Sequence, residues 1–377
     1  MKDLSFSLAP TVGETIRESF HIEYSGNITA MCTVFSMASH WEGAQPPSIR
    51  FLLLWKDGSE VYASHSYTPA KDGETKSWRI PPFYKSGVIC RAEVSVPEGS
   101  ALRVESFAAV YEPYAVKGTD VELDAHLGFF GAAPENTAAA FQMAGICGFH
   151  NCITVPKRTK DGVFVCIHDD TIARTARNSA GNVPEPDLAV ENMTYEELLD
   201  WDFGVKKHPI FAGEKIPLLE DYFRICKAYD MKPIFSVHPC FSQEEWQEIR
   251  EIAERQGILG KLRMKSAKAE VLQKIYDVFG NDMGGYILWG KAYSDEMPQK
   301  LASLGLDLTR TRGTVEAMHR PDAPWKAEYV RTVESYGFTA SGLSCWEHHS
   351  DTYYRELIAM GVREFTEDFH CSTALEW

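Results

Sequence analysis

A (β/α)8 barrel behind an N-terminal all-β domain is the fold class predicted by three features of this 377-residue sequence. Residues 14–111 form short β-branched and aromatic runs separated by turn clusters, with no long amphipathic helix among them. From Val121 onward, short apolar runs alternate with helical patterns in repeated βα units. About eight such strands, the last unit ending on a strand, suit a closed parallel barrel with right-handed crossovers better than an open sheet.

In the N-terminal part the strand signals are Ser25–Phe35, Ser48–Lys56, Ser77–Ile80, Gly87–Val96 and Ala101–Tyr111, punctuated by QPP, KDGSE, AKDGET and PEGS. Strands at that spacing predict an antiparallel, jelly-roll-like β-sandwich over residues 1–114, with the barrel over 115–377 and the junction between Tyr111 and Val121. Trp41, Trp55, Tyr62, Tyr67 and Trp78 are candidates for a ligand platform, carbohydrate included. Core packing explains the same residues.

The barrel elements follow in order. Val121–His126 is a strand and Asn136–Ala144 a helix; Asn151–Val155 and Val163–His168 are strands. Helices at Leu218–Tyr229, Glu244–Arg255 and Val271–Phe279 precede strands at Pro233–His238, Leu262–Met264 and Gly285–Trp289. Leu306–Arg310 reads as a strand, followed by strands at Thr339–Trp346 and Val362–Thr366 with helices before each. The loop-rich stretch Ala173–Ile216 should lie over one end of the barrel.

Composition narrows the function classes. The formal net charge of −15 gathers no phosphates, which argues against a nucleic-acid partner, although a local cationic pocket can still bind one small anion. No apolar stretch is long enough for a membrane span or a signal-peptide core. The nine cysteines form no CxxC pair, and Cys147, Cys152, Cys166 and Cys226 sit in apolar runs; reduced core cysteines in a cytoplasmic protein are the expectation. Gly284-Gly285 lacks the spacing of a dinucleotide loop. No feature sets an oligomeric state.

Two stretches carry the chemistry: AHLGFFGAAPENTAAAF at Ala125–Phe141 and TKDGVFVCIHDDTIART at Thr159–Thr175. With IPLLEDYFRICKAYDMKPIFSV, Cys345–Trp346 and GVREFTEDF, they resemble the glycerophosphodiester phosphodiesterase family across nearly all of Val121–Phe369. The resemblance implies a TIM barrel of the phospholipase-C-like phosphodiesterase type. It also implies that His126 and His168 correspond to the family's acid/base histidines. Independently of the family, both end predicted strands, where parallel barrels build their active sites. An imidazole there can take a proton from a nucleophile or give one to a leaving oxygen.

The chain departs from the family pattern at the positions that resemblance assigns to charge. Leu127 replaces the arginine after the first histidine. Ile153, Val155 and Ser236 replace three metal-binding carboxylates, and His238 replaces a lysine. Hydrocarbon side chains cannot ligate a cation, so no metal or other cofactor is expected. Strand alternation suggests that Lys157 faces inward, one step nearer the mouth than Val155. His238, Arg310, Arg312 and Trp346 are further candidates for substrate binding, and Asp124 is placed to orient His126. Glu135 and Arg174 read as supports for a turn or a helix start. Glu347-His348-His349 reads as polarity at the mouth, because neighbouring residues point apart.

Three functions stay open at this level. The first is a metal-independent phosphodiester-cleaving hydrolase or cyclising lyase, with a small polar or sugar-bearing phosphodiester as its partner. The second is a non-catalytic barrel that binds a glycan or phosphorylated headgroup. The third is a glycan-active enzyme on the same scaffold.

Overall fold

The computed structural model describes residues 15–16, 20–26, 31–54, 60–63, 66–80, 88–113, 121–237, 241–319, 323–343 and 351–368. The chain divides into two compact units, Met1–Ala115 and Val116–Trp377.

The first unit holds strands β1 (Thr15–Ile16), β2 (Phe20–Gly26), β3 (Met31–Glu42), β4 (Ser48–Leu54), β5 (Glu60–Ala63), β6 (Asp72–Ile80), β7 (Val88–Ser95) and β8 (Ala101–Pro113). They form two four-stranded antiparallel sheets, ordered β1-β8-β3-β6 and β2-β7-β4-β5. Phe51 of one sheet and Trp78 of the other bring their ring centroids to 5.7 Å, with Tyr67 beside both. These rings are therefore packing groups, which removes Tyr67 and Trp78 from the expected ligand platform. Trp41 instead lies under the Lys71 ammonium, 4.6 Å from its ring. Trp55 and the Tyr62 side chain lie outside the described residues.

The second unit is a closed barrel of parallel strands. It begins with β9 (Glu122–Ala125) and β10 (Asn151–Thr154). A hairpin of β11 (Pro156–Arg158) and β12 (Phe164–Cys166) interrupts the series. It resumes with β13 (Lys232–Ser236), β14 (Arg263–Ser266), β15 (Gly285–Gly290), β16 (Arg312–Met318), β17 (Thr339–Leu343) and β18 (Glu364–Glu367). Hydrogen bonds run β10-β13-β14-β15-β16-β17-β18-β9 and close the ring.

Two expected strands are corrected. Val163–His168 is no barrel stave, because β12 pairs antiparallel with β11 in a separate two-stranded sheet. Leu306–Arg310 is not a strand: the Asp307 carboxylate accepts from the Thr309 amide (3.0 Å) and hydroxyl (2.6 Å), and the strand begins at Arg312.

The barrel strands are short and buried on both faces, as parallel staves covered by helices must be. Interior side chains are unusually polar at the floor. Arg263 is buried and donates to both oxygens of Glu364 (2.8 and 3.2 Å) and to Thr314 (2.8 Å). Arg312 bridges Glu122 (3.0 Å) and Glu364 (2.8 Å), and Lys232 reaches Glu122 at 2.8 Å. One layer up, Lys265 pairs with Glu316 at 2.5 Å, and Thr366 donates to Glu316 at 2.6 Å. Ile153, Ile234 and Ile287 form a fully buried apolar cluster.

The loop-rich stretch beyond β12 has its own small core, including Val165, Ile172, Leu198, Phe203 and Ile216. It is tied to the loop after β9 by Arg174–Glu135 and by Lys207. Among the described residues, no helix is long and apolar enough to cross a membrane.

Candidate active site

His126 follows β9 directly, so it stands at the end of the barrel where the strands finish. Its backbone amide donates to the Glu367 carbonyl at 2.9 Å, continuing the β18–β9 ladder by one rung. The ring is largely buried, and its Nδ1 lies 2.5 Å from Oδ1 of the fully buried Asp368. Leu127 and Asn136 both take left-handed backbone conformations, with φ of +53° and +52°. For a leucine that geometry costs about 1 kcal/mol. Hydrogen bonds over-determine it: the Asn136 amide donates to the Leu127 carbonyl (2.9 Å), and the Gly128 amide to the Ile153 carbonyl (3.1 Å). The turn after His126 is thereby fixed against β10, and the imidazole with it.

His168 follows β12 and has the same arrangement. Its Nδ1 lies 2.7 Å from Asp169 Oδ1. Arg174 grips Asp169 (2.5 and 3.1 Å) and spans Glu135 bidentately (2.7 Å to each oxygen). Its contact with Glu135 raises the Arg174 pKa, and Asp169 reinforces that effect. Burial opposes ionisation of Asp169, but Arg174 and His168 outweigh it and hold the carboxyl below the usual range. Glu135 therefore belongs to the loop beside His126 while serving, through Arg174, the carboxylate of His168.

The other sequence candidates are distributed as follows. Asp124 does not orient His126. It is buried inside the barrel, where Asn151 donates to it at 2.5 Å, and burial together with the neighbouring Glu364 carboxylate raises its pKa well above the ordinary value. Lys157 pairs with Asp170 on the turn that carries His168. It reaches that turn from the β11 hairpin, not from a barrel stave as alternation suggested. Arg310 and Arg312 are displaced from the mouth: Arg312 opens β16 and binds the floor carboxylates, and Arg310 pairs with Asp282 at 2.7 Å. His238, Trp346 and Glu347-His348-His349 lie outside the described residues. Sequence reasoning missed Asp368, and it gave no role to Asp169 or Lys207.

Comparison with known proteins bears on the fold and on the segment that carries both histidines. A model of the glycerophosphoryl diester phosphodiesterase family matches residues 126–261. Over that segment the barrel resembles the glycerophosphoryl diester phosphodiesterase family. Glycerophosphodiester phosphodiesterases of Caldanaerobacter subterraneus subsp. tengcongensis and Bacillus altitudinis are 40% and 36% identical to it over 101 residues. That stretch is 27% of this chain, and the chain spans only 38% of each relative's length. Among solved structures, an Oleispira antarctica phosphodiesterase in complex with sn-glycerol-3-phosphate superposes with a TM-score of 0.55 at 19% identity. The overlap covers 67% of this chain and 94% of that one. A glycerophosphodiester phosphodiesterase of Agrobacterium tumefaciens gives 0.53 at 18% identity, over 68% and 98%. At such identities the superpositions establish the fold.

Where the family resemblance places metal-binding carboxylates, this chain has side chains that do not fit a cation. Ile153 is fully buried against Ile234 and Ile287, and Val155 is buried as well. Neither has a donor atom, and the single hydroxyl of Ser236 cannot meet the oxygen coordination of a hard divalent ion. Among the described residues, no group of three or more His, Cys, Asp or Glu side chains is clustered to hold a metal.

Proposed function

We propose that this chain cleaves small glycerophosphodiester-type substrates, with His126 and His168 as its acid/base pair and without the metal of the family it resembles. One imidazole takes the proton of the attacking hydroxyl or water as the new P–O bond forms. The other gives a proton to the departing alkoxide as the old P–O bond breaks, so neither oxygen has to carry full charge. The observation that carries this reading is that each histidine has its Nδ1 against a carboxylate, Asp368 at 2.5 Å and Asp169 at 2.7 Å. Such a carboxylate fixes the tautomer and ring orientation and directs Nε2 to proton exchange.

Incubation of the full chain with a glycerophosphodiester such as glycerophosphocholine, followed by phosphorus NMR, tests the reading. A phosphomonoester or cyclic phosphate should appear, and its formation should depend on both histidines. The lost metal donors favour a second reading, a barrel that binds such a headgroup without cleaving it. Ligand binding with no product from any diester tried would select that reading.

A further inference from the structure

The phosphodiester reading leaves one physical requirement open. A phosphoryl group carries negative charge that grows more concentrated on its oxygens as the bond breaks, and here neither metal-binding carboxylates nor the arginine at position 127 is present to organise a cation. The described cations of the barrel unit differ in how far they are already neutralised. Arg174 is taken up by Glu135 and Asp169. Lys157 is matched by Asp170. Arg310 and Arg312 serve Asp282 and the floor carboxylates.

Lys206 and Lys207 are different. Among the described residues neither has a carboxylate at ion-pair distance. Lys206 donates to the Arg174 carbonyl. Lys207 donates to the Phe130 carbonyl at 2.9 Å, and its ammonium sits 4.8 Å from the Phe130 ring centroid. Both line a cavity of about 270 Å³ whose other walls include Phe130, Glu135, Arg174 and Phe203. That volume is large enough to admit a phosphoryl group carrying a small alcohol. The wall brings three cationic side chains against one carboxylate, in a chain whose net charge is −15.

Neither histidine lines the cavity, but residues of its wall connect to both histidine assemblies. Glu135 and Arg174 lead to Asp169 and His168. On the other side, Lys207 lies within the field of Asp368, the carboxylate of His126. Burial lowers the Lys207 pKa to about 8, against the pull of Glu135 and Asp368. Its ammonium is thus poorly solvated and only partly compensated, the state in which a cation gains most from an incoming anion.

We propose that Lys207, assisted by Lys206, is the phosphate-binding cation of this site, holding the non-bridging oxygens of the substrate's phosphoryl group in the cavity that Glu135 and Arg174 share with the His168–Asp169 pair. The assignment rests on the phosphodiester reading of the same site. It goes beyond that reading in naming the group that stands in for the missing cation.

Inorganic phosphate is the probe, titrated calorimetrically into the full chain. Lys207→Met should weaken phosphate binding about tenfold or more, and Lys207→Arg, which keeps the charge, should stay within about threefold of the parent. An independent measurement needs no variant. The low pKa makes Lys207 a reactive amine, so limited acylation read by mass spectrometry should modify it, and saturating phosphate should slow that modification about fivefold or more. The exposed Lys300 should show no such protection. Phosphate binding that depends on Lys207 in a protein without turnover would support this assignment while removing the catalytic reading. Turnover with KM and phosphate affinity unchanged in Lys207→Met, or no protection of Lys207 in the parent, would overturn the assignment and leave the catalytic reading standing.

Discussion

Asp368 Oδ1 lies 2.5 Å from His126 Nδ1, a contact made across 242 residues because β18 closes the barrel against β9. Those two adjacent strands present paired interior side chains at successive levels. Glu122 and Glu364 share Arg312 at the floor, Thr366 approaches Asp124 at 3.5 Å above them, and His126 meets Asp368 at the mouth. Replacing Asp368 by Asn keeps the shape but removes the charge and lets the ring take the wrong tautomer. Turnover should fall roughly a hundred- to ten-thousandfold with a small change in KM. Steady-state kinetics of the variant checks this.

Arg174 is exposed enough that its ion pairs contribute little to stability, yet it fixes the carboxylate behind His168. Lysine cannot reproduce a fork that spans Glu135 and Asp169 together. Arg174→Lys should lower turnover about tenfold or more while shifting unfolding by less than about 1 kcal/mol. Denaturation and kinetics on one preparation separate the two effects.

The barrel was legible because its signal is repetition. Short strands buried on both faces recur, and most are followed by a helix with an amphipathic period. The hairpin of β11 and β12 hid inside that rhythm, since Phe164–Cys166 is as apolar as any stave. Leu306–Arg310 misled for a local reason: alternation there mimics a strand, whereas the Asp307 side chain caps a turn. His126 and His168 were readable because motif and strand end coincide. Asp368 was not, because its partner is set by ring closure. Lys206-Lys207 reads in sequence as a solvated charge pair, and only the fold places it over Phe130.

Ile153 tests the ligand argument from the opposite direction. It is fully buried with Ile234 and Ile287, so Ile153→Glu buries a carboxylate among hydrocarbon and should cost about 3 kcal/mol or more. A chelator should leave the thermal midpoint of the parent unchanged, as removal of an unbound ligand shifts no equilibrium. Urea unfolding and a thermal scan in chelator give both results.

The barrel floor predicts an acid limb of stability. Burial opposes ionisation of Glu122, but Arg312 and Lys232 outweigh it and hold its pKa at about 2. A folded-state pKa below the unfolded value contributes stability that is complete above the ordinary carboxylate range and disappears as pH falls toward 2. Solvent screening of this half-buried group reduces the contribution but does not change its sign. Glu122→Gln should therefore be less stable than the parent at pH 7, with the gap closing between pH 4.5 and 2. Urea midpoints measured across that range decide it.

The central claim is that two carboxylate-held histidines perform phosphodiester cleavage here without the family's metal. Its most direct test is turnover of a glycerophosphodiester in excess chelator by the parent, His126→Ala and His168→Ala proteins. The parent should keep its activity within about twofold of the untreated protein. Each variant should lose roughly a hundredfold or more while remaining folded. Activity that disappears with chelation and returns with a divalent cation, or turnover unchanged in both histidine variants, would contradict the account.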